Sequence, residues 1–308
     1  MGKTISMPDG VLLVDKPAGE TSAGILRILK RTHRPRKIGH LGTLDPMATG
    51  VLPICLDGGT RIAQFLDVAD KGYAGEILLG VATDTADVTG EETSRGPVPP
   101  LDEAGLEAVA RSFLGDREQI PPMYSAVKIG GQQLYKMARA GIEVEREPRA
   151  IRIERFSLEI GDAPDRLRFA VDCSKGTYIR VLAEEVGASL GCPATLASLR
   201  RTRFGPFDLS ECHELSSLQE TDLEKLPVLS CLDALRGVPR LDVDKSAAYR
   251  IAVGGKGSLE GLSLPPDASR AALVEPSGHL LAIVDRSEGG RWQLRRVLYP
   301  QAADLYRP

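Results

Sequence analysis

Residues 39–52 read G-H-L-G-T-L-D-P-M-A-T-G-V-L, and this stretch decides both the fold and the chemistry to look for. Asp45 is its one acid, and the chain has no other Asp or Glu between Glu20 and Asp57. Glycines let a backbone come close to a ligand. Just upstream lies a dense cationic run made of Arg27, Lys30, Arg31, His33, Arg34, Arg36 and Lys37. One carboxylate on a Gly-rich loop beside such a run predicts an acid that acts on a polyanion.

A simpler interpretation is that Asp45 caps a helix, because Asp followed by Pro46 is a common start of a helical turn. Other catalytic patterns are missing from the sequence. It has no second acid spaced as in a glycosidase pair, no Ser-His-Asp or Cys-His arrangement and no Walker loop. One carboxylate, an available Arg and a polyanion site favour glycosidic chemistry on a nucleotide. The pattern leaves open whether Asp45 is the nucleophile or the base.

Composition and charge fit a globular protein of 308 residues, with 42% hydrophobic residues, 26% charged residues and a formal net charge of -3. The cations are nevertheless segregated into the upstream run, a cluster at 200–203 and a mixed stretch at 128–155. Three basic patches in a net-acidic chain predict an anionic ligand held in a groove. No apolar run is long enough to span a bilayer, and the N-terminus M-G-K-T-I-S-M-P-D-G has no secretory h-region.

The spacing of the cysteines and histidines indicates the redox state of the compartment and whether the site holds a metal. The five cysteines are widely spread and form no C-x-x-C pair, and the four histidines share no metal-ligand spacing. This usage favours a reducing compartment such as the cytoplasm, and a site without metal.

Apolar periodicity predicts strands over 10–15, 51–56 and 73–80, a hairpin over 151–160 and 167–173, a basic strand or loop over 195–207, and helices from residue 22, over 101–114 and over 177–190. Thr21 or Ser22 can cap the first helix. Arg180 lies at the start of the last helix, off its apolar stripe. Residues 119–141 form an excursion that could clamp a ligand. From residue 237, short β-like runs between Gly, Ser and Pro turns predict a small β-rich domain.

The loop at 39–52 closely resembles the signature loop of the TruB family of tRNA pseudouridine synthases. Further motifs match that family in order: K-P-A-G-E-T-S at 16–22, Tyr73 opening a strand that ends in L-G-V-A-T-D-T-A-D, P-P-M-Y-S-A-V-K-I-G-G-Q-Q-L-Y-K-M-A-R-A-G at 121–141, and C-S-K-G-T-Y-I-R at 173–180. Together they cover most of residues 10–207. One departure is Asp57, which stands where the pattern leads us to expect a Gly after Cys-Leu.

The resemblance implies a site. Asp45 would be the essential catalytic carboxylate, Tyr73 would stack on the target base, and Arg180 would pair with Asp45 and orient it. The resemblance and the basic patches together give a set of expected RNA-binding residues: His40, Lys16, Tyr178, Arg200, Arg201 and Lys128. No metal or other cofactor is implied.

The resemblance also implies an α+β pseudouridine-synthase fold, with a central mixed or antiparallel sheet flanked by helices and a small C-terminal β-rich, PUA-like domain. We expect a catalytic domain over residues 1–236, with an RNA-gripping insertion at about 119–150. The PUA-like RNA-binding domain would cover 237–308.

The implied activity is isomerisation of uridine 55 in the T-loop of tRNA. The base would be flipped out, and its glycosidic bond broken and re-formed as a carbon-carbon bond. The partner would be the T-arm stem-loop, bound by a monomer in the cytoplasm without a membrane. Three alternatives remain open: a guide-RNA-dependent synthase subunit of the H/ACA type, a tRNA chaperone or RNA-binding module, and a nucleoside hydrolase-like glycosidase.

Overall fold

The computed structural model describes residues 8–66, 70–125, 127–255 and 257–307. Within these ranges the strands are β1 (Gly10–Lys16), β2 (Ile38–His40), β3 (Thr49–Leu56), β4 (Lys71–Leu79), β5 (Val81–Thr83), β6 (Glu92–Arg95), β7 (Gly115–Gln119), β8 (Lys128–Ile129), β9 (Gln132–Gln133), β10 (Arg149–Ile160), β11 (Arg166–Cys173), β12 (Ala194–Phe204), β13 (Phe207–Asp208), β14 (His213–Glu214), β15 (Val228–Ser230), β16 (Arg240–Asp242), β17 (Arg270–Val274), β18 (Leu280–Arg286) and β19 (Trp292–Val297). The α-helices are α1 (Ser22–His33), α2 (Ala63–Leu66), α3 (Glu103–Ser112), α4 (Leu134–Arg139), α5 (Ile179–Leu190), α6 (Leu215–Glu220), α7 (Cys231–Ala234), α8 (Lys245–Val253) and α9 (Ala302–Leu305). Residues 1–7, for which the sequence predicts no secretory signal, lie outside the described ranges.

The larger sheet is mixed, as predicted. Its strands follow the order β14-β1-β3-β12-β4-β11-β10-β7, with β13 beside β12, β15 beside β1 and β2 beside β3. Strand β1 runs parallel to β14, and β3 runs parallel to β12. The predicted hairpin is present as the antiparallel pair β10 and β11. The sheet therefore brings the start of β3, the first half of β4 and the second half of β12 together at its centre.

Strand β1 is covered on both faces, which explains its continuous apolar run. Leu12 and Val14 pack into a cluster with apolar residues of α1, α3 and α5. Val11 and Leu13 point to the opposite face, where their cluster reaches Ile283 of β18. The C-terminal sheet is thus packed on the face of the central sheet opposite the helices.

Helix α1 begins and ends at signals that the sequence carries. The Oγ1 of Thr21 accepts a hydrogen bond from the Gly24 N–H at 2.8 Å, so Thr21 is the N-cap predicted. The helix ends where Arg34 takes a left-handed conformation with φ of 54°. The last turn contains Lys30, Arg31 and His33. Lys30 and Arg31 lie at the negative end of the helix dipole and place the basic run beside the loop that follows.

The second sheet has the order β16-β17-β18-β19, which confirms a β-rich C-terminal unit. Two helices that the sequence analysis did not predict, α8 and α9, pack on it around Ile251 and Ala302. Asp244 caps α8 by accepting the Ala247 N–H at 2.7 Å. An apolar cluster runs across the junction of the two sheets, so the domain boundary at residue 236 stays a prediction. The PUA likeness of the C-terminal unit also stays a prediction.

The excursion after β7 contains the short hairpin of β8 and β9 followed by α4, and the chain returns to the sheet at β10. No helix in the described part of the chain is both long and apolar enough to cross a membrane.

Candidate active site

The acid of the signature loop does not cap a helix. Residues 45–48 form a turn in which the Ala48 N–H donates to the carbonyl of Asp45 at 3.1 Å. Pro46 suits the second position of such a turn because its φ is already fixed. The carboxylate of Asp45 is therefore left to other partners, and its Oδ2 lies 2.9 Å from Nε of Arg180.

Lys16, at the end of β1, binds the backbone of this turn. Its side chain is completely buried, and Nζ donates to the carbonyls of Pro17 at 2.9 Å, Pro46 at 3.1 Å and Ala48 at 2.6 Å. Its expected contact with RNA is wrong, because a side chain with no exposed surface cannot meet a phosphate. Lys16 instead fixes the backbone on either side of the candidate carboxylate.

The environment of Lys16 is unusual for an ammonium. Burial lowers the pKa of Lys16 to about 8, although the nearby carboxylates of Glu20 and Asp45 act in the opposite direction.

A second link to the signature loop comes from Ser22 of the K-P-A-G-E-T-S motif. The Oγ of Ser22 accepts the Leu44 N–H at 2.9 Å and donates to the Leu44 carbonyl at 3.1 Å. The motif at 16–22 is thus the support of the loop.

Arg180 lies at the centre of the site. The sequence pattern placed it off the apolar stripe of α5, yet its side chain is buried and turned into the cavity. Nη1 donates to the Thr85 carbonyl at 2.9 Å and Nη2 to the Tyr124 carbonyl at 2.7 Å. Nε faces Asp45, and it lies 3.8 Å from Oδ2 of Asp87. The planar guanidinium is held along several directions, so it can orient Asp45.

Asp87 is a site residue that the sequence analysis missed. Its Oδ1 accepts the Thr89 N–H at 2.9 Å and the Thr85 hydroxyl at 3.0 Å. Side-chain exposure is 6% for Asp87 but 38% for Asp45. A second acid does therefore lie at the site, but Asp45 is the one that a ligand can reach. The T-D-T-A-D turn at 83–87, next to the tyrosine strand, was the signal in the sequence.

Tyr73 lies near the start of β4 and forms part of the cavity wall. Burial raises the pKa of its phenol, while the charge of Arg201 and a hydrogen bond from it act in the opposite direction. The hydroxyl consequently stays protonated at neutral pH. The ring is available as a flat apolar surface beside Asp45.

These groups surround a cavity of about 540 Å³. Its walls come from the signature loop, from Tyr73, from the turn at 85–89, from Tyr124 and Tyr135 of the insertion, and from the turn at 176–180. A cavity of this size accommodates a small ligand. Tyr178 lines it as expected, and its backbone is held by Gln119, whose Oε1 accepts the Tyr178 N–H at 2.7 Å.

Arg201 lines the same cavity but is completely buried. Its Nε donates to the Val51 carbonyl at 2.7 Å and its Nη2 to the Gly42 carbonyl at 2.8 Å. A Cβ on Gly42 would lie only 2.5 Å from the ring of Phe204, and Gly42 has φ of +58°. The expectation that Arg201 grips RNA is wrong, since this arginine holds the signature loop against β12.

Arg200 and Arg201 do not form one patch, because neighbouring residues of a strand point to opposite faces. Arg200 lies on the outer face, where its Nη2 pairs with Asp15 at 2.6 Å and its Nη1 donates to Thr49 at 3.2 Å. The side chain is 42% exposed. It stays a candidate for RNA contact, outside the cavity.

His40 and Lys128 also lie outside the cavity. His40, in β2, is half-buried and lines a shallow depression that adjoins the cavity at Gly42 and Thr43. Lys128 is exposed on the hairpin of the insertion. Among the residues that the structure describes, no group of three or more His, Cys, Asp or Glu side chains could hold a metal ion.

Comparisons with known proteins agree with this arrangement. The N-terminal domain of TruB family pseudouridylate synthases matches residues 30–179, and the C-terminal domain of tRNA pseudouridylate synthase B matches 180–235. The tRNA pseudouridine synthase B of Stutzerimonas stutzeri is 44% identical over 94% of this chain and 95% of its own length. That of Bacillus licheniformis is 45% identical over 90% of this chain and 93% of its own.

Solved structures show the same fold at lower identity. A crystal structure of a Cbf5-Nop10-Gar1 complex has a TM-score of 0.74 and 24% identity, and covers 100% of this chain and 93% of that one. An H/ACA RNP bound to a substrate RNA has a TM-score of 0.69 and 22% identity over 97% and 87%. The fold, the loop with its reachable carboxylate and the long matches to curated relatives agree, and the chain belongs to the TruB family of pseudouridine synthases.

Proposed function

We propose that this protein isomerises uridine to pseudouridine in tRNA, at position 55 of the T-loop. The observation that carries the proposal is the contact of 2.9 Å between Asp45 and the buried Arg180 at the edge of a cavity walled by Tyr73. Asp45 is the carboxylate there with substantial exposure, while Asp87 is covered. The curated relatives are named as enzymes that act on tRNA.

The reaction needs little beyond these groups. A uridine turned out of the T-loop enters the cavity, and its base stacks on Tyr73. Asp45 faces the ribose, and the bond between C1′ and N1 breaks. The uracil turns, C5 bonds to C1′, the C5 hydrogen leaves to water as a proton, and N1 gains a proton. The proton lost from C5 is balanced by the proton gained at N1, so the nucleotide keeps its composition and no oxidant or energy source is consumed.

The insertion supports RNA as the ligand. The carbonyl of Tyr124 accepts a bond from Arg180, and the hydroxyl of Tyr124 lies 3.4 Å from Asp84. The insertion therefore touches the group that orients the catalytic acid, and its exposed Lys128 can meet the backbone of a T-arm lying over the cavity. We propose a monomer that acts in the cytoplasm, where reduced cysteines such as the five free ones here are usual.

Guide-dependent action is a weaker reading. The neighbours in RNP complexes share the fold, but their identity to this chain is under 25%. The curated relatives named tRNA pseudouridine synthase B are far more similar. A purified chain that modifies naked tRNA alone would separate the two readings.

The test uses an unmodified T-arm stem-loop labelled with tritium at C5 of its uracils. We expect the purified protein to release one label for each uridine converted and to leave pseudouridine at position 55 in the digested product. Free uracil would indicate a glycosidase instead. No release without a guide RNA, or RNA refolding with no new nucleoside, would contradict the proposal and favour the guide-dependent or chaperone reading.

A further inference from the structure

Gln119 is the last residue of the edge strand β7, and its side chain is buried. Its amide binds both polar backbone groups of a single distant residue. Oε1 accepts the Tyr178 N–H at 2.7 Å, and Nε2 donates to the Tyr178 carbonyl at 3.2 Å. Only one orientation of the amide satisfies both groups, so the two bonds fix Tyr178 relative to β7 in two directions.

Tyr178 is the N-cap residue of α5, and its own side chain does not cap the helix. Its carbonyl also accepts the Leu182 N–H at 3.1 Å, which forms the first turn. Arg180 lies in that turn and extends into the catalytic cavity. Gln119 therefore determines where α5 begins and, through the first turn, where the guanidinium of Arg180 lies.

A second contact joins the same two segments in the opposite sense. Nη2 of Arg180 donates to the Tyr124 carbonyl at 2.7 Å, five residues after Gln119. The side chain of Gln119 thus holds the backbone of the segment that contains Arg180. The side chain of Arg180 in turn holds the backbone of the segment that follows Gln119. We call these two contacts the reciprocal clasp.

The chain between the two contacts is short and stiff. Residues 120–124 read I-P-P-M-Y, and the two prolines fix two of the φ angles in this segment. Pro121 is buried, and its carbonyl accepts a hydrogen bond from Nη1 of Arg146 at 3.2 Å. A displacement of Gln119 is therefore passed on to Tyr124, because little freedom remains between them to absorb it.

Gln119 also lies where the insertion leaves the central sheet. It pairs with the first residue of β10, so the chain leaves and rejoins the sheet at the same point. The insertion contributes Tyr124 and Tyr135 to the cavity wall. Within it, the Tyr135 N–H donates to the Ser125 carbonyl at 3.1 Å. The reciprocal clasp therefore connects this wall of the cavity to Arg180.

We propose that Gln119 is a positioning residue for the isomerisation, which acts through Arg180 to keep Asp45 oriented. The inference rests on the proposed function. Gln119 is not among the residues that line the catalytic cavity, so it acts on the reaction through other groups. A buried amide can serve only to satisfy backbone groups. That simpler role predicts no particular dependence on Arg180, whereas the reciprocal clasp does.

The test is a double-mutant cycle of Gln119→Leu and Arg180→Lys, measured on the tritium-labelled T-arm stem-loop. Leu approximates the size of Gln but removes both bonds to Tyr178. We expect Gln119→Leu to lower the single-turnover rate about tenfold while RNA affinity stays within about threefold. In the Arg180→Lys background the same change should cost less than about twofold, because the group through which it acts is already lost. Gln219→Leu, at an exposed glutamine of α6, is the matched control and should keep the full rate.

Equal losses in the two backgrounds, or a rate for Gln119→Leu that equals the rate for Gln219→Leu, would contradict the proposal. Gln119→Glu is the second variant, in case the Leu variant does not fold. It keeps an acceptor for the Tyr178 N–H but places an oxygen against the Tyr178 carbonyl. Its loss of rate should likewise depend on Arg180.

Hydrogen exchange of the free protein separates this proposal from the proposed function. Gln119→Leu and Arg180→Lys should each speed amide exchange in peptides over residues 127–137 about fivefold or more, and Gln219→Leu should not. If exchange responds in this way but the unaltered protein forms no pseudouridine, the reciprocal clasp stands and the proposed isomerisation fails. Unchanged exchange in both variants would contradict the clasp, whatever the activity.

Discussion

The catalytic cavity and the edge strand β19 both carry charged side chains, but they hold them in opposite ways. At the cavity, the side chain of Arg180 is 6% exposed and its donors are bound to carbonyl groups and carboxylates. On β19, the side chain of Arg295 is 56% exposed and Arg296 is exposed beside it. Buried charges of the first kind fix geometry, whereas exposed charges of the second kind attract a polyanion and are screened by salt.

This contrast predicts different consequences for conservative substitutions. A buried arginine is defined by the directions of its donors, so even Lys is a poor replacement. An exposed arginine acts mainly through its charge, so Lys should largely replace it.

Among the tests of this contrast, the largest effect is expected for Arg180→Lys. A single ammonium cannot reach Asp45, the Thr85 carbonyl and the Tyr124 carbonyl together, so the acid loses its fixed orientation. We expect kcat for tritium release to fall by about a hundred- to a thousandfold. Arg155→Lys, at an exposed ion pair with Asp172, is the control and should retain full activity. A loss within about threefold for Arg180→Lys would mean that its charge alone matters.

A buried carboxylate, Glu275, lies directly after β17 of the second sheet and outside the catalytic cavity. Burial alone would raise the pKa of Glu275, but hydrogen bonds from Ser277, Tyr306 and the His279 N–H overcome this and lower it to about 2. Its stabilisation is present above the usual carboxyl pKa of 4.5 and is lost as the pH falls towards 2.

We therefore expect the free energy of unfolding to lose about 3 kcal/mol from this one group between these pH values. Urea unfolding of Glu275→Gln should lack that part of the pH dependence, while the exposed Glu288→Gln should keep it. Identical pH profiles for all three proteins would show that Glu275 is not such a stabilising charge. Catalytic activity at neutral pH should not separate the two variants.

The smallest effects concern Tyr73. Tyr73→Phe keeps the ring beside Asp45 and loses the hydroxyl that interacts with Arg201, whereas Tyr73→Ala removes the stacking surface. Stacking on a base contributes about 1–3 kcal/mol, so kcat/KM should fall about ten- to a hundredfold for Ala. The loss for Phe should be several times smaller. Equal losses would assign the role of Tyr73 to its hydroxyl.

Local sequence patterns predicted much of this fold. The Thr21 cap, the two-sided apolar run of β1 and the alternation of the β10 and β11 hairpin each depend on neighbouring residues, and all appear in the structure. The signature loop identified Asp45 because its isolation among cations is a property of the sequence itself.

The residue roles that the sequence could not predict depend on tertiary packing. Lys16 and Arg201 look like surface cations in the sequence, but tertiary packing encloses them and supplies carbonyl acceptors from distant segments. Asp87 was missed because its relation to Arg180 exists only after the turn that follows β5 and the start of α5 are brought together. The bulge at Arg295 depends on the register of two strands, which periodicity does not determine.

The most direct test of the central claim is a single-turnover comparison of Asp45→Asn with Asp162→Asn, an exposed acid far along the chain, on the tritium-labelled T-arm stem-loop. If Asp45 is the reacting carboxylate, Asp45→Asn should bind the RNA within about threefold of the unaltered protein but lose at least about a thousandfold in rate. Asp162→Asn should match the unaltered protein in both. A rate for Asp45→Asn within about tenfold of the unaltered protein would contradict the account.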